Sequence, residues 1–157
     1  MANQSSALED LLQRGFRYAF SLVHNQDVAQ DLVQEACLRI NQRGGPWKIA
    51  YFITTIRNCY IDQYRRQQKI TFYPIDDVSN IVDPKTIWPS PDPELERALD
   101  RLRVEEREIL FLSVLEEYSA REIAELTGRP RGTILSILHR AKKKLRSWIN
   151  RDEMKVL

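Results

Sequence analysis

At 157 residues, 43% hydrophobic and 29% charged, the chain is long enough for one medium domain or two small ones and is well short of a disordered composition. No apolar run approaches a membrane span, and the opening residues Met1 to Ser6 lack the basic and apolar regions of a secretory signal, so a cytoplasmic protein is expected. The net charge of +2 conceals an asymmetry, because Arg129 to Arg146 holds seven Lys and Arg and no acid, whereas Asp76 to Glu94 sets five acids against the single Lys85. One end suits phosphates, and the middle suits avoiding or imitating them.

The first helix is expected from Ser6, where Ser6-Ala-Leu-Glu9 has the spacing of a capping box and Leu8, Leu12, Phe16, Ala19 and Val23 follow at helical intervals. Asn25 suits the N-cap of a second helix, with Leu32, Val33, Ala36 and Ile40 as its core stripe. There Asp31, Gln34, Glu35 and Leu38 fall at steps of three and four, on a face turned away from the stripe. Carboxylates around one apolar contact suit a basic helical partner, and a merely solvated face is the alternative. Gly44-Gly45-Pro46 breaks the chain, and a third helix is expected over about 47–68, with Ile49, Phe52, Ile53, Ile56, Tyr60 and Tyr64 as its apolar positions. Arg57, Asn58, Ile61, Asp62 and Arg65 share one of its faces, with Arg66 and Lys69 beyond. Arginines there can hold phosphates, and Asn58 can offer a paired donor and acceptor to a base edge. Trp47, Tyr51 and Tyr60 can stack on exposed bases or pack in a core.

From Ile70 to Pro93 helical periodicity lapses, and Pro74, Pro84, Pro89, Pro91 and Pro93 recur among aspartates. An extended, acidic, Pro-rich linker over 70–92 is therefore expected between a helical domain at 1–69 and another at 93–157, making the fold all-α. Asp92 suits an N-cap with Pro93 at the first helical position, and Leu95, Ala98, Leu99 and Leu102 carry that helix. Ile109, Leu110, Leu112, Val114 and Leu115 belong to the next one. Tyr118 to Ala141 then reads as two short helices joined by a glycine turn. Ser119 and Glu122 form a capping box, Gly128 ends the first of the two, and Arg129-Pro130-Arg131 forbids simple continuation. Ile134, Leu138, Ala141, Leu145 and Trp148 make the buried stripe of the second. This is the layout of a DNA-reading helix-turn-helix. Arg129, Arg131, Thr133, Ser136, His139, Arg140 and Lys142 to Lys144 remain for phosphates and limited base contact, and a solvated helix end is the alternative for the three lysines.

Three stretches in this order resemble the bacterial RNA polymerase sigma factors of the extracytoplasmic-function (ECF) type: Asp31-Leu-Val-Gln-Glu-Ala-Cys-Leu-Arg39, Ile56-Arg-Asn-Cys-Tyr-Ile-Asp-Gln-Tyr-Arg-Arg66, and Tyr118 to Ala141. The likeness covers nearly the whole chain. It implies that Asp31, Gln34, Glu35 and Leu38 dock on the clamp helices of the largest subunit of core RNA polymerase. It implies that Trp47, Tyr51, Arg57, Asn58, Asp62, Arg65 and Arg66 melt and read the minus-ten promoter element. Arg129, Arg131, Thr133, Ser136, His139, Arg140 and Lys143 are the residues it assigns to the minus-thirty-five element. An anti-sigma protein is a further implied partner. The inter-domain segment is implied to pass through polymerase channels near the RNA path; in that reading Ile75, Val78, Ile81, Ile87 and Trp88 are its anchors, and a tether with a few apolar contacts is the alternative.

This sequence departs from the family's pattern in two places. The loop Asn41 to Pro46, which the resemblance implies holds a flipped base, is shorter than usual, and Tyr51 stands where a tryptophan is common. Leu135 and Ile137 stand where a lysine and an arginine are common, and both are expected to face outward or only partly inward. Such side chains can touch a thymine methyl but cannot bond base-edge acceptors. Two functions follow as expectations. One is a sigma factor whose minus-thirty-five element is unusual and read partly by shape; the other is a sigma-like module that sequesters an anti-sigma protein without driving transcription.

No phosphate-cradling glycine loop, H-E-x-x-H or serine, histidine and acid set with motif context is present, so no enzyme, cofactor or metal is expected. Cys37 and Cys59 lack C-x-x-C spacing. Buried small apolar side chains are their plain reading, and a metal or redox sensor formed with His24 is the other.

Overall fold

In the computed structural model, which describes residues 2–70 and 92–155, every regular element is a helix. They are α1 (Ala2–Val23), α2 (Gln26–Arg43), α3 (Ile49–Ile70), α4 (Pro93–Arg101), α5 (Val104–Val114), α6 (Ala120–Thr127) and α7 (Arg131–Lys155). The first three form one compact unit and the last four a second. The expected linker, with its proline run and apolar anchors, lies outside the described residues but for its two ends.

In the first unit Asn25 caps α2 by accepting from the Val28 N–H at 3.0 Å, a bond that stabilises a helix start by about 1 kcal/mol. Gly44 closes the same helix in the left-handed region, φ 66, where a side chain would be strained. Leu32, Ala36 and Ile40 face inward as expected, joined by Ala29, while Val33 is half-buried. On α1 two expectations fail. The helix already runs from Ala2, so Ser6 and Glu9 sit inside it and form no capping box. Nothing between Ala2 and Ser5 breaks a helix, and propagation costs little once a turn exists. Leu8 is 45% exposed because residues 3–10 are all solvent-facing, and the core begins at Leu11. Further along, Tyr18, Ala19, Phe20, Ser21 and Leu22 are consecutively buried because α1 is packed by both α2 and α3.

The β-branched run of α3 is accommodated by its own backbone. Thr54 and Thr55 donate their hydroxyls to the carbonyls of Ala50 and Tyr51, each at 2.8 Å, and Ile53 and Ile56 fill the core beside Phe52 and Cys59. The helix starts at Ile49, so Trp47 belongs to the preceding loop. Tyr64, expected among the apolar positions, is 51% exposed and stacks on half-buried Tyr60 with ring centroids 6.3 Å apart.

In the second unit Asp92 accepts from the Glu94 N–H at 3.0 Å, with Pro93 in the first turn of α4. Ser119 and Glu122 complete a reciprocal capping box at α6, and Gly128, φ 71, ends that helix. Leu102, Leu110 and Ala141 form a core against which Leu99, Leu138, Leu145 and Trp148 pack, and the Arg101 guanidinium covers the Trp148 ring at 4.5 Å. Val114 and Leu115, read as apolar positions of α5, stand exposed at its end. Ile137 is a clear correction: it is 4% exposed, inside the core, whereas Leu135 is 44% exposed. Since α7 packs against α4, α5 and α6, its buried arc is wider than one stripe, and Ile137 falls within it beside Ile134 and Ala141.

Candidate nucleic-acid and protein interfaces

On α2 the core stripe turns Asp31, Gln34 and Leu38 to solvent, with Leu38 57% exposed. Next to Leu38 opens an apolar groove of ≈ 810 Å³, lined by Leu12, Phe16, Val33, Cys37 and Trp47 and edged by Gln13, Gln34 and Asn41. Glu35 is half-buried and engaged: Arg39, one turn on, donates Nε to Glu35 Oε1 at 3.2 Å and Nη1 to Asp62 Oδ2 of α3 at 3.0 Å. A residue of the docking set and one of the minus-ten set are thus joined through one guanidinium.

Below that bridge Cys59 is fully buried, and burial pushes its thiol up to about 11. Burial also raises the half-buried Cys37 thiol in the groove wall. Among the described residues no three His, Cys, Asp or Glu side chains gather as a metal site.

On α3 Asn58, Arg65 and Arg66 are exposed and Arg57 and Asp62 half-buried, so all five lie on the accessible side of the helix. The two aromatic candidates differ. Trp47 is 45% exposed and tilts towards Phe52 with centroids 6.3 Å apart, leaving a ring for stacking. Tyr51 instead packs on the loop, so closely that a Cβ on Gly45 would meet its ring at 2.7 Å. That contact makes Tyr51 the support of the loop.

On α7 Arg131, Thr133, Leu135, Ser136, His139, Arg140, Lys142 and Lys143 are exposed. Ser136 donates to the Gly132 carbonyl at 3.0 Å, which leaves its oxygen able to accept. Arg129 and Lys144 instead pair with carboxylates of α5, the Lys144 side chain remaining 41% exposed. Arg129 Nη1 lies 3.9 Å from Glu108 Oε2, and Lys144 Nζ donates to Glu106 Oε1 at 2.7 Å. These carboxylates and Arg39 carried no assignment from the sequence. The Glu35–Arg39 spacing of four was a readable signal, but Glu106 and Glu108 look like ordinary acids near a helix start.

Family models match both units: "Sigma-70 region 2" over residues 7–70 and "Sigma-70, region 4" over residues 93–145. The RNA polymerase sigma factor SigV of Bacillus subtilis (strain 168) is 30% identical over 154 residues, spanning 95% of this chain and 92% of that one. The chain belongs to the sigma-70 family, in its ECF group. The ECF RNA polymerase sigma factor EcfG of Rhodopseudomonas palustris (strain TIE-1) is 31% identical over 86% of this chain and 78% of its own length. The sigma factor CarQ of Myxococcus xanthus is 30% identical over 96% and 93%.

As a sigma factor, the protein directs RNA polymerase in promoter recognition and transcription initiation. The family is not one of enzymes. Its fold is shared with the sigma factor RpoE of Bartonella quintana, solved in complex with the anti-sigma factor NepR, with TM-score 0.75 over 96% of this chain and 98% of that one at 24% identity. No described helix of this sigma factor is long and apolar enough to cross a membrane.

Proposed function

We propose that this sigma factor acts without catalysis of its own, in the cytoplasm, by docking core polymerase through α2 and reading promoter DNA through α3 and α7. The observation that carries the reading is the exposed face of α2: Asp31, Gln34 and Leu38 side by side, continuous through Leu38 with the apolar groove. An apolar contact ringed by polar and acidic groups suits the basic, amphipathic helices of the polymerase clamp. At the minus-ten element Arg57, Arg65 and Arg66 hold phosphates, Asn58 faces a base edge and Trp47 stacks on an unpaired base. At the minus-thirty-five element Arg131, Arg140 and Lys143 hold phosphates while Thr133, Leu135, Ser136 and His139 face the groove. With Ile137 in the core, only Leu135 remains of the apolar outer face that favoured a sequestering module. An anti-sigma protein is a partner proposed by family likeness.

The test is co-elution of the purified chain with core RNA polymerase, followed by transcription from a promoter-library template. Co-elution with specific initiation is expected. A folded chain that does not co-elute would refute the docking role. Leu38→Arg and Asp31→Arg should each weaken polymerase binding about tenfold or more without shifting the unfolding midpoint. They are cleaner probes than Glu35→Arg, which would set a second guanidinium against Arg39.

A further inference from the structure

The second turn of α5 holds a carboxylate that a helix start does not need. Glu105 and Glu106 complement the dipole of the first turn, yet Glu106 is 5% exposed, and Glu108 beyond it is 3% exposed. An ionised carboxylate leaves water only against cationic or hydrogen-bonding partners, and here both cations come from the DNA-reading half of the unit. Lys144, midway along α7, donates Nζ to Glu106 Oε1 at 2.7 Å. The other oxygen of Glu106 is buried without a hydrogen-bond partner among the described residues, so Lys144 is what compensates that carboxylate. Arg129, in the turn before α7, brings a buried Nη1 to 3.9 Å from Glu108 Oε2. The two pairs therefore bracket the exposed reading face of α7, one at its entry and one beyond Lys143.

We infer that Glu106 and Glu108 form an electrostatic clamp on the recognition helix, which makes Arg129 and Lys144 positioning residues and not phosphate contacts. This rests on the reading of α7 as the DNA-reading helix. For Lys144 to swing out to a phosphate, buried Glu106 would have to lose the cation that compensates it, and for Arg129 to do so Glu108 would lose a nearby positive charge; an exposed phosphate contact does not offset the first loss. The clamp fixes the tilt of α7 on α5, so that Arg131, Thr133, Leu135, Ser136 and His139 approach the groove together. The basic run is thereby divided by function, with Arg131, Arg140, Lys142, Lys143 and Arg146 exposed and Arg129 and Lys144 held against carboxylates of α5.

Salt dependence separates the two roles, because each phosphate contact adds a fixed increment to the slope of log affinity against log salt. The full chain is titrated against a mixed-sequence DNA duplex at several salt concentrations, as wild type and as Lys143→Gln, Arg129→Gln, Lys144→Gln and Glu106→Gln. Lys143→Gln should flatten the slope by about 0.9. Arg129→Gln and Lys144→Gln should leave the slope unchanged and weaken binding by a constant factor, about two- to thirtyfold, at every salt concentration. Glu106→Gln removes a negative charge and would tighten binding if charge alone mattered. It should instead weaken binding as Lys144→Gln does and speed amide exchange across Ile134 to Ala141. A slope flattened by about 0.9 in Arg129→Gln or Lys144→Gln, with native exchange in Glu106→Gln, overturns the clamp. A wild-type chain with no salt-dependent duplex binding overturns the DNA reading of α7 itself, and native exchange in Glu106→Gln overturns the clamp even then.

Discussion

Cys59 shows how much the surroundings of one side chain govern. It sits at the centre of the three-helix unit, beneath the Arg39 bridge, and burial moves its thiol from an ordinary 9.0 to about 11. Arg39 favours the thiolate but is outweighed. The folded protein therefore holds the thiol proton more tightly than the unfolded chain does. Stability from this group is complete below pH 9 and is lost as pH rises towards 11, a change of about 2–3 kcal/mol. Urea midpoints of wild type and Cys59→Ala between pH 8 and 11 should converge as pH rises; parallel profiles would refute the assignment. Gly15 is the opposite case, a residue defined by what it lacks. A Cβ there would overlap the Phe52 ring, so the glycine lets α1 and α3 approach closely.

Among the elements, α7 has the most to reconcile, because one helix must bury an arc against three others and present a reading face. Leu135 and Ile137 lie two positions apart and end on opposite sides of that division. Leu135→Lys should leave thermal stability within about 0.5 kcal/mol of wild type, whereas Ile137→Lys buries an unpaired ammonium and should cost about 3 kcal/mol or more. Circular dichroism melts of both variants check this; a harmless Ile137→Lys would return that side chain to the surface. Placing the family's lysine and arginine at both positions together would therefore unfold the unit before it improved DNA binding.

Across the molecule, the legible features were local ones. Asn25, Asp92, the Ser119–Glu122 box and Gly128 act within a few residues of themselves, so local sequence predicts their geometry wherever a helix does start or end there, as it does not at Ser6 and Glu9. On α2 the exposure of Asp31, Gln34 and Leu38 was equally legible, since helical period fixes which residues share a face, whereas Glu35 of the same set is half-buried against Arg39. Illegible features depend on packing partners distant in sequence: Arg39 with Asp62 is a separation of 23 residues, and Glu106 with Lys144 one of 38. Whether a hydrophobic residue such as Ile137 or Leu8 is inside depends on how many neighbours its helix has and where they stop, which periodicity does not encode. The groove beside Leu38 has a consequence for the protein as a solute. Leu12, Phe16, Val33 and Trp47 present a wet apolar concavity that water covers badly, so unescorted molecules gain by covering it with one another. Light scattering of the purified chain should show reversible, concentration-dependent association that Leu38→Arg relieves; a strictly monodisperse wild type would exclude it. Association of that kind would set a ceiling on how much of the free protein a cell can keep in reserve.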